Sequence, residues 1–191
     1  MRKFLSVLAI ALFTAVYAQT YTVSAGVSFP FIGNKQTLDG AMSYDIKPGF
    51  NVGLSTAFLM GDGNEIELGA YYQSNKISYD FVYDFELHSG IPAEKREKNL
   101  NLIFIPLNYK YNFGDQFFIK GGPLFTIDTD EKDSYFDNFS GLGFGISAGK
   151  DFGDEGLKIR VAPYANAHSL WSFNDNHRYI NDFGLQLGLA F

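Results

Sequence analysis

The chain has 191 residues, a formal net charge of −6 and no cysteine. That length fits one domain. The missing thiols exclude a disulfide framework and a lipid anchor on a cysteine after cleavage, and the acidic balance argues against nucleic acid as a partner, because phosphate binding needs a basic footprint.

Arg2 and Lys3 open a short basic stretch, residues 4–17 are largely apolar, and Val16-Tyr17-Ala18 before Gln19 reads as a small-residue cleavage site. Residues 1–18 are therefore expected to be a cleaved signal peptide, with 19–191 as the exported domain. After residue 18 no run reaches the ~18 apolar residues that a membrane-spanning helix needs.

What recurs instead is a period of two, the mark of a strand with unlike faces. In 20–30, Tyr21, Val23, Ala25, Val27 and Phe29 alternate with Thr22, Ser24, Gly26 and Ser28. In 47–59, Phe50, Val52, Leu54, Thr56 and Phe58 alternate with small or polar residues, and Gly61-Asp62-Gly63-Asn64 turns the chain. The third strand, 65–76, sends Ile66, Leu68, Ala70 and Tyr72 outward and Glu67, Gly69, Tyr71, Gln73 and Asn75 inward. A charged excursion, 77–99, follows. The remaining strands are read at 100–113, 116–127, 139–152, 157–168 and 179–191, with turns at Gly114-Asp115 and Gly153-Asp154-Glu155-Gly156. The last alternates cleanly: Phe183, Leu185, Leu187, Leu189 and Phe191 are the apolar face, read as the C-terminal signal for barrel assembly.

Connections alternate long and short. The fold expected is all-β: an eight-stranded antiparallel up-and-down transmembrane barrel with short periplasmic turns and longer extracellular loops, placed in the outer membrane. The sheet must close, since backbone groups stay unpaired at an open edge in lipid.

Three segments, Lys47-Pro48-Gly49-Phe50-Asn51-Val52-Gly53-Leu54, Ile105-Pro106-Leu107-Asn108-Tyr109-Lys110-Tyr111 and Lys120-Gly121-Gly122-Pro123, together with the closing Leu185-Gln186-Leu187-Gly188-Leu189, resemble the blocks of the Bacteroidetes-type outer-membrane β-barrel domain, the PorT-like family. The resemblance spans 19–191 and implies a small barrel of the OmpA and OmpX kind, with one member class linked to protein secretion. It implies no catalytic motif.

Inward charges at Glu67, Lys110, Lys120, Asp151 and Arg160 are expected to meet in the turn-side half of the lumen. The bland reading is a salt-bridge plug; the sharper one is a narrow ion or proton path. Inward glycines on strands two and six are expected to make room for Tyr71, Phe104, Phe118 and Tyr164. His88, His168 and His177 read as loop histidines; a site combining His168, His177, Ser169 and Asp175 would need a nucleophile–base–carboxylate arrangement. Asp128, Asp130, Glu131 and Asp133 read as a solvated loop rather than a calcium site, because Lys132 interrupts them.

The function expected is a non-enzymatic barrel, without cofactor or metal, that supports the envelope or a surface or secretion process. Its loop aromatics Tyr79, Phe81, Tyr83, Phe85, Tyr135, Phe136 and Trp171 are the contact candidates, and the run 78–87 is a candidate sheet edge for strand addition. Expected partners are outer-membrane lipid, the barrel-assembly machinery through the C-terminal strand, and a surface or secretion protein. A pore for small or apolar solutes and a lipid-modifying enzyme are the alternatives.

Overall fold

A computed structural model describes residues 20–34, 42–61, 63–81, 95–130, 139–153, 156–173 and 178–191. Eight strands run β1 (Thr20–Asn34), β2 (Met42–Gly61), β3 (Asn64–Phe81), β4 (Lys95–Phe113), β5 (Phe117–Asp128), β6 (Gly141–Phe152), β7 (Lys158–Ser172) and β8 (Arg178–Ala190). Each pairs antiparallel with the next, and β1 pairs with β8 to close the barrel. The C-terminal residue completes the seam: Phe191 N–H donates to Tyr21 O at 2.9 Å and Tyr21 N–H donates to Phe191 O at 2.8 Å. No helix among the described residues is long and apolar enough to cross a membrane.

The alternation sorts the two walls. Val23, Val27, Leu54, Leu107, Ile146 and Leu187 stand exposed on the outer wall, while Ser24, Asn51, Glu67, Asn108, Ser147 and Ala190 are buried inside. An apolar band encircling the molecule needs a non-aqueous neighbour. Aromatic contacts line its two ends. At the turn side, Tyr111–Phe113 and Phe113–Phe117 stack with centroids 6.1 and 6.2 Å apart, and Tyr21 stacks on Phe191. At the loop side, Phe29–Phe183, Phe50–Tyr72 and Phe125–Phe173 meet at 5.6, 6.4 and 5.5 Å. The turns fall where glycine was read: Gly63, Gly114, Gly153 and Gly156 all have positive φ.

The strands on one side are longer than their alternation indicates. Part of the 77–99 excursion is sheet: Met42 pairs with Phe81, and Asp80 with Lys95. These upper ends form a three-stranded extension of β2, β3 and β4. Its polar residues on both faces hide the period of two. The extension also corrects the expected free edge, because 78–80 is paired on both β2 and β4 and Phe81 on β2; 82–87 lies outside the described residues. A bulge between Lys47 and Phe50 accommodates Pro48, which has no N–H for a regular ladder.

Large inward rings are seated against glycine. A Cβ on Gly53 would fall within the Tyr71 ring, one on Gly149 would lie 2.6 Å from the Phe118 ring, and one on Gly184 would lie 2.7 Å from the Tyr164 hydroxyl. Gly53→Val is therefore expected to lower the unfolding free energy by about 1–3 kcal/mol through overpacking, read by urea titration of the refolded barrel. An unchanged midpoint would mean that Tyr71 has somewhere else to go.

Candidate functional site

The lumen is where polar chemistry concentrates, and it is filled in storeys. In the turn-side half, Glu67 is fully buried and accepts from two cations: Lys120 Nζ at 2.5 Å and Arg160 Nη1 at 3.2 Å. Arg160 also holds Asp151 in a two-pronged pair, Nε to Oδ1 at 2.7 Å and Nη2 to Oδ2 at 3.0 Å. Lys110 donates to Glu65 at 3.2 Å and lies 3.9 Å from Asp151. The structure brings together all five expected charges, Glu67, Lys110, Lys120, Asp151 and Arg160, and adds Glu65, which equalises the count of cations and anions. Glu65 lies two residues from Glu67 on the same face of β3, so the alternation already marked it.

These cations share one apolar neighbour. The Phe118 ring has Arg160 Cζ at 4.8 Å, Lys110 Nζ at 5.0 Å and Lys120 Nζ at 6.0 Å. Charge placed over a ring face is favoured by the ring quadrupole, more so when desolvated. Outside the cluster, toward the short turns, a mouth of about 540 Å³ is lined by Glu65, Lys110, Asp151, Lys158 and Arg160.

Above the charges, Tyr71 stacks on Phe104 at 5.0 Å, and the two pack with Leu124. Beside them a cavity of about 30 Å³, the size of one water, is bounded by residues including Lys120, Tyr164 and Gln186. Hydrogen-bonded amides, hydroxyls and the buried carboxylate of Asp182 follow. Gln186 Nε2 donates to Asn51 Oδ1 at 3.0 Å, and Asn51 Nδ2 donates to Tyr164 OH at 2.7 Å. Ser28 Oγ donates to Asp182 Oδ1 at 2.7 Å, and Gln73 Nε2 to Asn75 Oδ1 at 3.0 Å. Last comes a lid of Ile77, Leu100, Leu102, Phe139 and Ile180, flanked by Ile32 and Ile46.

His168 is a correction to the loop reading. It is fully buried inside the barrel, with Nδ1 2.9 Å from Thr126 Oγ1 and its ring edge-on to Phe104 at 5.4 Å. The cause is a register shift: β7 continues past His168, with Ser169 at φ +56°, and Leu142 pairs with Trp171 while Phe144 pairs with Ala167. Ser169 Oγ bonds the Phe139 carbonyl rather than His168. The Thr126–His168 pair lies under the lid without a carboxylate on the other ring nitrogen among the described residues. His88, His177 and Asp175 lie outside the described residues.

Of the loop candidates, Trp171 is on strand β7, facing out and 69% exposed. Tyr79 and Phe81 belong to β3; Tyr83, Phe85, Tyr135 and Phe136 lie outside the described residues. Asp128 and Asp130 are not a solvated loop. Asp130 accepts from Asn101 N and Nδ2 at 2.9 Å each, and Asp128 accepts from Asp130 N and Phe139 N at 3.1 and 3.2 Å. Their carboxylates cap strand ends. Glu131 and Asp133 lie outside the described residues. Phe183, Leu185, Leu187, Leu189 and Phe191 all stand exposed on the outer wall.

The family model for the outer membrane protein beta-barrel domain matches residues 17–191, so the chain belongs to that family. Among solved structures it is similar to the outer membrane protein OprG of Pseudomonas aeruginosa, at 13% identity and a TM-score of 0.54, covering 92% of this chain and 97% of that one. It is similar also to the outer membrane protein AlkL in lipid bilayers, at 13% identity and a TM-score of 0.50, covering 92% of this chain and 90% of that one. A search of the curated proteins finds no match. The apolar band is thus the lipid-facing wall of an outer-membrane barrel.

Neutralising Glu67 would leave Lys120 without its bonded anion and Arg160 with Asp151 alone. Glu67→Gln is expected to cost about 3–5 kcal/mol, the penalty of an uncompensated buried charge. The probe is the emission of Trp171, the one tryptophan of the chain, during urea unfolding in vesicles. Lys120→Met on the same background should recover part of the loss; if it deepens the loss, the two residues do not act as a pair.

Proposed function

We propose that this outer-membrane barrel is a closed scaffold that works through its outer surfaces, supporting the envelope or a surface or secretion-associated process without catalysis. The observation that carries this reading is the packing of the lumen from the charge storey to the apolar lid. Between them the described residues leave a cavity of about 30 Å³, and a solute path needs continuity. The two-sided pairing of β3 within the β2–β4 extension supports a second part of the reading. It makes a rigid platform beyond the lipid-facing band, from which the 82–94 connection is displayed, and rigid scaffolds commonly present functional loops.

The reading extends to membership of the Bacteroidetes-type, PorT-like class, supported by the glycine- and proline-containing blocks at 47–54 and 105–111. It takes residues 1–18 as a cleaved signal peptide. It assigns recognition by the barrel-assembly machinery to β8, whose outward Phe183, Leu185, Leu187 and Leu189 end at Phe191. A surface or secretion protein is the expected loop partner.

Planar-bilayer recording tests the central claim. The refolded barrel is expected to give no sustained conductance steps, with or without Glu67→Gln, because the apolar lid is independent of the charge storey. Sustained ion-selective steps in the native protein would replace the scaffold reading with a pore. Deleting 82–94 should leave heat-modifiable gel migration intact and abolish crosslinks to surface neighbours.

A further inference from the structure

The outer face of β2–β4 carries an arrangement that barrel packing alone does not explain. Lys47 lies directly opposite Lys76 across the β2–β3 ladder, and Lys76 lies opposite Asn99 on β4. Like charges directly opposite one another are destabilising. Lys47 reaches over β3 to Glu97 at 2.8 Å, an exposed pair of the kind worth little in water. Lys76 has no ion-pair partner among the described residues.

The order of rows along this face is directional. Outermost is Asp45–Ser78–Glu97; next comes Lys47–Lys76–Asn99; then Phe50–Ser74–Asn101; then Val52–Tyr72–Ile103. The cations are thus closer to the membrane than the acids. Immediately below them is a band that hydrogen-bonds sideways, with Tyr72 OH donating to Asn101 Oδ1 at 2.9 Å and Ser74 Oγ donating to the same oxygen at 2.8 Å. Below that, the wall dips into a shallow apolar groove of about 790 Å³. Ala25 and Ala70 form its low points between Val52, Leu54, Tyr72 and Leu187. Tyr72 and Lys76 are four residues apart, roughly 13 Å along a strand, about the separation between a lipid phosphate and the upper part of its acyl chains.

We propose that this face is a binding site for a phosphate-bearing lipid of the outer leaflet, with the phosphate bridging Lys47 and Lys76 and an acyl chain lying in the Ala25–Ala70 groove. An anion between the lysines supplies Lys76 with the counter-charge that Glu97 already gives Lys47. The groove below supplies the apolar half of the same ligand. An anionic soluble ligand would use the lysines and not the groove; a second copy of the chain would use the groove and not the lysines.

Native mass spectrometry of the detergent-extracted full-length barrel distinguishes these. The probes are bis-phosphorylated lipid A, its dephosphorylated form and phosphatidylcholine. The native protein should retain the phosphorylated lipid over the dephosphorylated one by at least about fivefold, the scale of one basic residue at an anionic surface. Lys47→Gln with Lys76→Gln should abolish that preference. Glu97→Gln, which releases Lys47, should keep or raise it. Ala70→Trp should lower retention of both lipids and leave the preference. Heat-modifiable migration confirms that each variant is folded. Equal retention of the two lipids by the native protein, an unchanged preference in the double lysine variant, or a lipid-free dimer that Ala70→Trp disrupts would each overturn the assignment.

Discussion

The constraint on which the rest depends is the burial of one carboxylate, Glu67, with no access to water. Moving an ion from water to an apolar medium costs several kcal/mol even after relaxation, and only close, well-directed partners offset that. Here the partners come from around the barrel: Lys120 from β5, and Arg160 from β7, itself held by Asp151 from β6. Lys110 from β4, with Glu65 beside it, completes the balance. No two neighbouring strands can make this arrangement alone. It forms only when the sheet has curled far enough to bring β3 and β7 to opposite sides of one lumen. The network also fixes register. A slip of one residue in β3 would turn Glu67 into the lipid and Ile66 into the lumen, so every odd slip carries an unsolvated charge.

That same cluster explains what surrounds it. An eight-stranded barrel has an interior just wide enough for side chains. Three long cations and the Phe118 ring use much of its turn-side half, so β2, β3 and β6 set glycine against the large rings. Gly149 faces Phe118, and Gly53 and Gly69 face Tyr71. These glycines are the counterpart of large neighbours rather than an open passage. Farther up, the charge cluster gives way to amides and hydroxyls around the carboxylate of Asp182 and then to the Ile77–Leu102–Ile180 lid. From the turn-side mouth the lumen thus passes from paired charges through hydrogen-bonded polar groups to an apolar lid.

Most of the barrel was legible because a wall between lipid and a polar lumen imposes the strongest contrast a period of two can have. Every strand's inward and outward faces could be assigned from residues such as Val52 against Asn51 or Ile146 against Ser147. What was not legible lies where the contrast fails. The β2–β4 extension is polar on its outside and mixed within, so 77–81 and 95–99 looked like loop. Pro48 concealed that β2 continues beyond it, since a bulge is invisible to alternation. The shift at Ser169 had the same effect on β7, which moved His168 from an apparent loop to a buried place beneath the lid and put Trp171 on a strand. Glu65 was missed for a different reason: it opens the third strand, and the inward set was counted only from Glu67, although the same alternation carried back two residues turns Glu65 inward.

A barrel whose inside is spent on packing has only its outside with which to act. Two outer regions remain, and they differ in what they demand of a partner. Beyond the membrane, only the middle strand of the β2–β4 platform is paired on both sides; among the described residues 42–47 of β2 and 95–99 of β4 pair with β3 alone, so a protein partner can bind side chains or add a strand at either outer edge. At the membrane boundary the requirement is reversed: the lysine row offers charge, the groove offers apolar area, and a lipid supplies both in the right order along the strand. The two regions are continuous through the same three strands. Lys47 belongs to the platform through Glu97 and to the lipid boundary through Lys76. A lipid that draws Lys47 from Glu97 would loosen the ion pair that ties β2 to β4 across β3 at the platform's base.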